Sequence, residues 1–262
     1  MYYLEPLALT TSTTSPKIAG IKQLLALDIP TIKLPFVTTH ELFLEYYQNH
    51  KLNTKAWSEF GHVFATITTG GSLTLRHSAY EANNLELTFS ATNTLNIGSF
   101  DSFRRILESN FKLLASKIIN PSKADVRFIL QSYYKSIKCG SLINDGQYMK
   151  VKAILGEHTK ALQVEGISPD RYLASSTISP FTLTQQGEHS KIYKVTRSGL
   201  KTIENRSFPL NEPILDKLQL KKLASWSRLL FKHHGPHTLF FAELSNGDLI
   251  VQDLLINKKE TV

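Results

Sequence analysis

The chain has 262 residues, with a hydrophobic fraction of 42% and an aromatic fraction of 10%; this excludes a disordered chain and provides a core for one large domain or two intimate subdomains. Its net charge of +8 and pI near 9.4 suit an anionic partner: a nucleotide, a nucleic acid or a membrane surface. No apolar run reaches the length of a membrane span, the start Met1-Tyr2-Tyr3-Leu4-Glu5 has no secretory pattern, and the single cysteine, Cys139, excludes an intramolecular disulfide framework, so a cytoplasmic protein without a membrane partner is expected.

Thr10 to Ser15 is a short biased stretch read as a loop. Ser15-Pro16-Lys17 opens a helix, with Ser15 able to cap an orphan amide and Pro16 suited to the first helical position. Ile18, Ile21, Leu24 and Leu25 form its buried stripe, and Asp28-Ile29-Pro30 ends it. Lys17 falls in the first turn, where unsatisfied backbone donors could cradle phosphate. Phe36–Thr39 reads as a strand and 40–50 as a helix. In Ser72-Leu73-Thr74-Leu75-Arg76, Leu73 and Leu75 face the core and the other three face away. Phe103, Ile106, Leu107, Phe111, Leu114 and Ile118 share one face of a long helix over 100–119.

Asn120-Pro121-Ser122 is the expected subdomain break. Strands follow at 126–130, 140–143 and 150–154. Ser175 to Asn211 reads as polar and less regular. An amphipathic helix covers 218–231, and two strands, 239–244 and 248–251, close the chain around Ser245-Asn246-Gly247. The mixture is α+β. Basic residues are dispersed: Lys217, Lys221 and Lys222 lie on one predicted helix, and Lys258 and Lys259 near the end. A solvated surface is the plainer reading of each cluster, which ranks a nucleic-acid-binding function third.

Several blocks stand out by order and spacing. Lys17 follows Ser15-Pro16, then come Ile29-Pro30 and Pro35-Phe36-Val37-Thr38-Thr39. Leu75-Arg76-His77-Ser78-Ala79 precedes Thr88-Phe89-Ser90-Ala91. Ile129-Leu130-Gln131-Ser132-Tyr133-Tyr134 leads to Cys139-Gly140-Ser141-Leu142-Ile143-Asn144. Next come Ile154-Leu155-Gly156-Glu157 and Ile167-Ser168-Pro169-Asp170-Arg171-Tyr172. The last block runs from Gly235-Pro236 through Glu243 to Gly247-Asp248 and Leu255. In this order the blocks resemble the ATP-grasp nucleotide-binding domain of the phosphoenolpyruvate synthase and pyruvate phosphate dikinase family, over about Ser15 to Leu255.

The resemblance implies an ATP-grasp fold of two intimate α+β subdomains, 1–119 and 120–262, with the nucleotide cleft between them. It implies an ATP-dependent phosphotransferase using ATP and Mg2+. Lys17 and Arg76 would hold phosphates, with Arg76 catalytic; Gln131 and Glu157 would hold adenosine; Glu243 and Asp253 would hold metal. No Gly-rich Ser-His-Ala segment and no room for a barrel are present, so the acceptor would be a small molecule or a separate polypeptide carrying the phosphohistidine and pyruvate-binding domains.

The chain also departs from the family. Its paired glycines are Ser15-Pro16 here, its acidic pair falls on Ala82-Asn83 with Glu81 and Glu86 nearby, and the glycine of its turn is Ala91. Its metal-binding glutamate falls on Phe240 or Phe241, with Glu243 a short way downstream. Its glutamine falls on Asp253 or Gln252, and its closing arginine on Leu255. These departures motivate the alternative of a catalytically degenerate relative that senses nucleotide or binds a protein.

Each residue also has a plain reading. Arg76 could be an exposed strand arginine, Gln131 a core glutamine bonded to backbone, and Glu157 a solvated loop acid. Glu243 and Asp253 could be surface residues at strand ends; if they faced the same side they could hold one ion. His233, His234 and His237 could form a transition-metal site, though helix-end histidines complementing the dipole are the plainer reading. Cys139 reads as a buried structural thiol.

Overall fold

Alternation along the strands, together with two long amphipathic helices, yields a chain in which every strand-to-strand ladder among the described residues is antiparallel. The computed structural model describes residues 3–10, 15–33, 35–81, 94–157, 162, 168–176, 180–196 and 199–257. Thr11–Thr14, Ala82-Asn83 and Glu86, the turn Thr88–Ala91, Ile167 and Lys258-Lys259 lie outside the described residues, and Glu81 is described through its backbone alone. The fold is α+β, with two units: Met1–Lys22 with Ile32–Tyr133, and Gln23–Thr31 with Tyr134–Val262.

The first unit holds a five-stranded sheet in the order β1-β2-β5-β3-β4. The strands are β1 (Leu4–Pro6), β2 (Phe36–Thr38), β3 (Leu73–Glu81), β4 (Thr94–Ile97) and β5 (Ala124–Ser132). Helices α2 (His40–Asn49), α3 (Thr54–Ile67) and α4 (Phe100–Lys117) bury their apolar stripes against one sheet face. Phe43, Tyr46, Phe60, Phe103, Phe111 and Phe128 form an aromatic layer in this core. Leu73, Leu75 and Ala79 point into the same core, as the alternation predicted. Helices α3 and α4 have side-chain caps at their starts: Asn53 accepts from the Ala56 amide, and Ser99 from that of Ser102. A smaller cluster of Leu7, Val37 and Ile129 with Ile18 and Ile21 covers part of the other face; the last two come from α1 (Pro16–Ala26).

The second unit holds a six-stranded sheet in the order β13-β12-β6-β7-β8-β9. Its strands are β6 (Ser136–Asn144), β7 (Tyr148–Leu155), β8 (Asp170–Ser175), β9 (Thr182–Gln185), β12 (His237–Leu244) and β13 (Leu249–Ile256). A separate hairpin joins β10 (Lys191–Thr196) to β11 (Gly199–Glu204). Helix α5 (Lys217–His234) packs Leu220, Leu223, Ala224 and Leu230 against one face of the six-stranded sheet. Its start is a capping box: Asp216 accepts from the Gln219 amide, and the Gln219 side chain accepts from the Asp216 amide. Three strands, β9 to β11, occupy the stretch from Ser175 to Asn211 that reads as less regular, and neither β8 nor α3 was expected.

Candidate functional site

In the first unit, alternation along β3 places Thr74, Arg76 and Ser78 on the face opposite the aromatic core, and the register pairs them with Gln131, Ile129 and Arg127. The Ser15 hydroxyl lies 2.5 Å from that of Ser78, and it also accepts from the Ile18 amide at 3.2 Å. The start of α1 is therefore pinned to the strand that carries Arg76. Lys17 sits half-buried in the first turn of that helix, and Arg76 is half-buried on the sheet face. Gln131, 8% exposed, holds a buried Oε1 that accepts no hydrogen bond from the described residues. The structure thus brings Arg76 and Gln131 to one face of one sheet, and ties the first turn of the helix that carries Lys17 to the same strand as Arg76. Chemically, a guanidinium is a planar fork that matches phosphate oxygens, and an amide oxygen is an acceptor that matches an exocyclic amine. Ser78, quoted in the Arg76-His77-Ser78-Ala79 block, is the contact that fixes the helix, and sequence spacing alone gave no sign of it.

In the second unit, Gly156 has φ +140°, and a Cβ on it would stand 2.4 Å from the Tyr193 carbonyl oxygen. Only glycine admits that approach. The Glu157 amide then donates to Tyr193 O at 2.8 Å, and the Glu157 side chain is buried. The Asp170-Arg171-Tyr172 block opens strand β8. Asp170 is fully buried and its carboxylate accepts from the Gly187 and Ile214 amides at 2.7 and 2.8 Å, from the Tyr172 hydroxyl at 2.9 Å, and meets His189 Nε2 at 2.7 Å. The Tyr172 hydroxyl in turn accepts from the Leu215 amide at 3.0 Å, and burial pushes its pKa well above the ordinary value. This carboxylate ties β8 to two later segments and is structural.

Glu243 and Asp253 do not come together. Leu239, Phe241 and Glu243 alternate toward α5, while Phe240 and Ala242 point to the opposite face. A bulge at Gln252 resets the parity of β13, so Asp253 pairs with Phe240 and shares its face. Glu243 is held on the α5 side, 2.8 Å from Lys138 Nζ and accepting from Gln219 Nε2 at 2.7 Å. The expected carboxylate pair is replaced by an aspartate beside a phenyl ring. One carboxylate and one phenyl do not fit a metal held by a carboxylate pair. Among the described residues no group of three or more His, Cys, Asp or Glu side chains is placed to hold a metal ion.

The three histidines also separate. His233 and His234 end α5, as expected, but His237 begins β12 and is fully buried. Its Nδ1 lies 2.9 Å from Gly235 O, and its Nε2 lies 3.1 Å from the Ser227 hydroxyl, which accepts from Asn144 Nδ2 at 2.9 Å. Burial holds its pKa below the ordinary value. Cys139 is fully buried among Ile154, Ala242 and Ile250.

No family model matches the sequence, and no curated protein matches it. Solved structures do resemble the fold. Acetyl-coenzyme A synthetase 1 from Ca. Korarchaeum cryptofilum, solved with coenzyme A and Ca-AMPCP, is similar with a TM-score of 0.51 at 12% identity over 92% of each chain. D-alanyl-alanine synthetase A from Vibrio cholerae gives 0.48 at 11% identity over 93% of this chain and 55% of its own. The RimK domain ATP-grasp protein from Sphaerobacter thermophilus gives 0.39 at 10% identity over 91% and 58%. The chain spans little more than half the length of the last two. The fold is the α+β ATP-grasp fold.

Proposed function

We propose that the chain is a divergent nucleotide-binding domain of the phosphoenolpyruvate synthase and pyruvate phosphate dikinase type, which binds ATP and has lost the carboxylate pair for a catalytic metal. The observation that carries this reading is the convergence of the Ser15-capped start of α1, Arg76 and the unsatisfied Gln131 acceptor on one sheet face. Lys17 and Arg76 neutralise phosphate charge. Gln131 reads the adenine edge. The domain acts as a nucleotide-sensing or protein-interaction module in the cytoplasm.

A second reading keeps phosphoryl transfer, which needs positioning and charge neutralisation more than covalent chemistry. Asp253, still on the face of the expected metal site, favours it. Asp253 would then be the single protein carboxylate on a Mg2+ held otherwise by phosphate oxygens and water, and the acceptor would be a small molecule or the histidine of a separate polypeptide.

Calorimetric titration with ATP tests the first reading, comparing wild type with Arg76→Ala. Wild type binds, and the variant binds at least about tenfold more weakly, the expected loss for a charge-assisted contact. No binding at millimolar ATP overturns it. Mg2+-dependent ATP turnover that Arg76→Ala abolishes establishes the second reading instead.

A further inference from the structure

The second sheet has a cationic row that the nucleotide reading does not use. The register places Ser141 opposite both Phe240 and Lys152, and Lys152 opposite Arg171. Asp253, Phe240, Ser141, Lys152 and Arg171 therefore form one transverse row across β13, β12, β6, β7 and β8, on the face away from α5. Lys152 is half-buried and Arg171 exposed. Among the described residues neither takes part in an ion pair. The next cation on the face, Lys150, is already 2.9 Å from Asp145.

Like charges directly opposite on neighbouring strands destabilise a sheet, with Cβ atoms only about 5 Å apart. A bound anion removes that repulsion and accepts from both groups at once. Arginine supplies a planar fork and lysine a point charge, a combination suited to a phosphate chain. At the other end of the row, Phe240 beside Asp253 removes the means of neutralising phosphate with a metal held by two carboxylates.

We propose that Lys152 and Arg171 bind the phosphate chain of a polyphosphate ligand without a metal ion. The site lies wholly in the second unit and does not rest on the proposed function. Inorganic tripolyphosphate and ATP are titrated into the full chain, in EDTA and in Mg2+. Three proteins are compared: wild type, Lys152→Gln/Arg171→Gln, and Lys221→Gln/Lys222→Gln, which removes the same charge from the exposed side of α5.

Wild type should bind tripolyphosphate in EDTA. The Lys152/Arg171 variant should lose at least about tenfold in affinity and the α5 variant less than about twofold. The thermal midpoint of the unliganded Lys152/Arg171 variant should equal or exceed that of wild type, since the repulsion is gone. Absence of tripolyphosphate binding in EDTA, or equal loss in both variants, overturns the proposal. Tripolyphosphate binding without ATP binding leaves the anion site standing and removes the nucleotide reading alone.

Discussion

Glu243 stands 2.8 Å from Lys138 and accepts from Gln219 at 2.7 Å, so its carboxylate joins β12 to β6 and to the capping box of α5. Both members of the ion pair are nearly buried, with side-chain exposures of 13% and 11%. Glu243→Gln leaves a largely desolvated lysine without its partner and should destabilise the fold by about 3 kcal/mol. A urea titration measures this, and ATP affinity should be unchanged, because the residue faces α5. Sequence spacing could place an acid near the expected metal position. It could not assign the face, because that depends on how β12 alternates against its neighbours. Gly156 was legible as part of a block that carries the family resemblance. Its actual constraint is Tyr193, a residue from a region that read as irregular.

At the scale of the element, α4 and α5 were legible because their apolar stripes are long and their caps are local. Helix α3 was not expected, although its buried residues Ala56, Phe60, Val63, Phe64 and Ile67 share one face. Strands β8 to β11 were missed because they are short and mostly polar on their exposed sides, and tertiary partners hold them: Asp170 by His189 and two backbone amides, β10 by Gly156. The link from α5 to β12 is similar in kind. Asn144, Ser227 and His237 form one buried hydrogen-bonded chain spanning a strand, a helix and a second strand. Ser227→Ala removes the central hydroxyl and leaves the two flanking nitrogens unsatisfied. A cost of about 2 kcal/mol is expected in chemical denaturation.

The whole molecule carries these histidines as a group. Burial lowers the pKa of His40, whose Nδ1 accepts from the Val126 amide at 3.3 Å. Burial also lowers that of His237 and of His234, to which the neighbouring His233 adds a smaller repulsion. Each folded pKa lies below the ordinary value near 6.5, so the unfolded chain takes up protons first as pH falls. Their contribution to stability is complete above about pH 6.5 and is lost progressively below it. Protonation adds to a net charge already at +8, which strengthens self-repulsion in the same direction. Urea midpoints should therefore fall between about pH 7.5 and about pH 5.5, and His237→Gln should flatten the dependence.

The sequence by itself determined the α+β class, the order of the long helices and central strands, and the opposite faces of Leu73 and Arg76, because these follow from local periodicity and capping. Tertiary structure decided which chemistry-bearing residues meet. Ser15 against Ser78 sets the first turn of α1 beside the Arg76 strand. The bulge at Gln252 turns Asp253 toward Phe240 and away from Glu243. The pairing of β7 with β8 sets Lys152 against Arg171. A single residue of slip in a strand exchanges its two faces, so a motif read along the chain identifies the types of side chain available, while register across the sheet selects those that can act together.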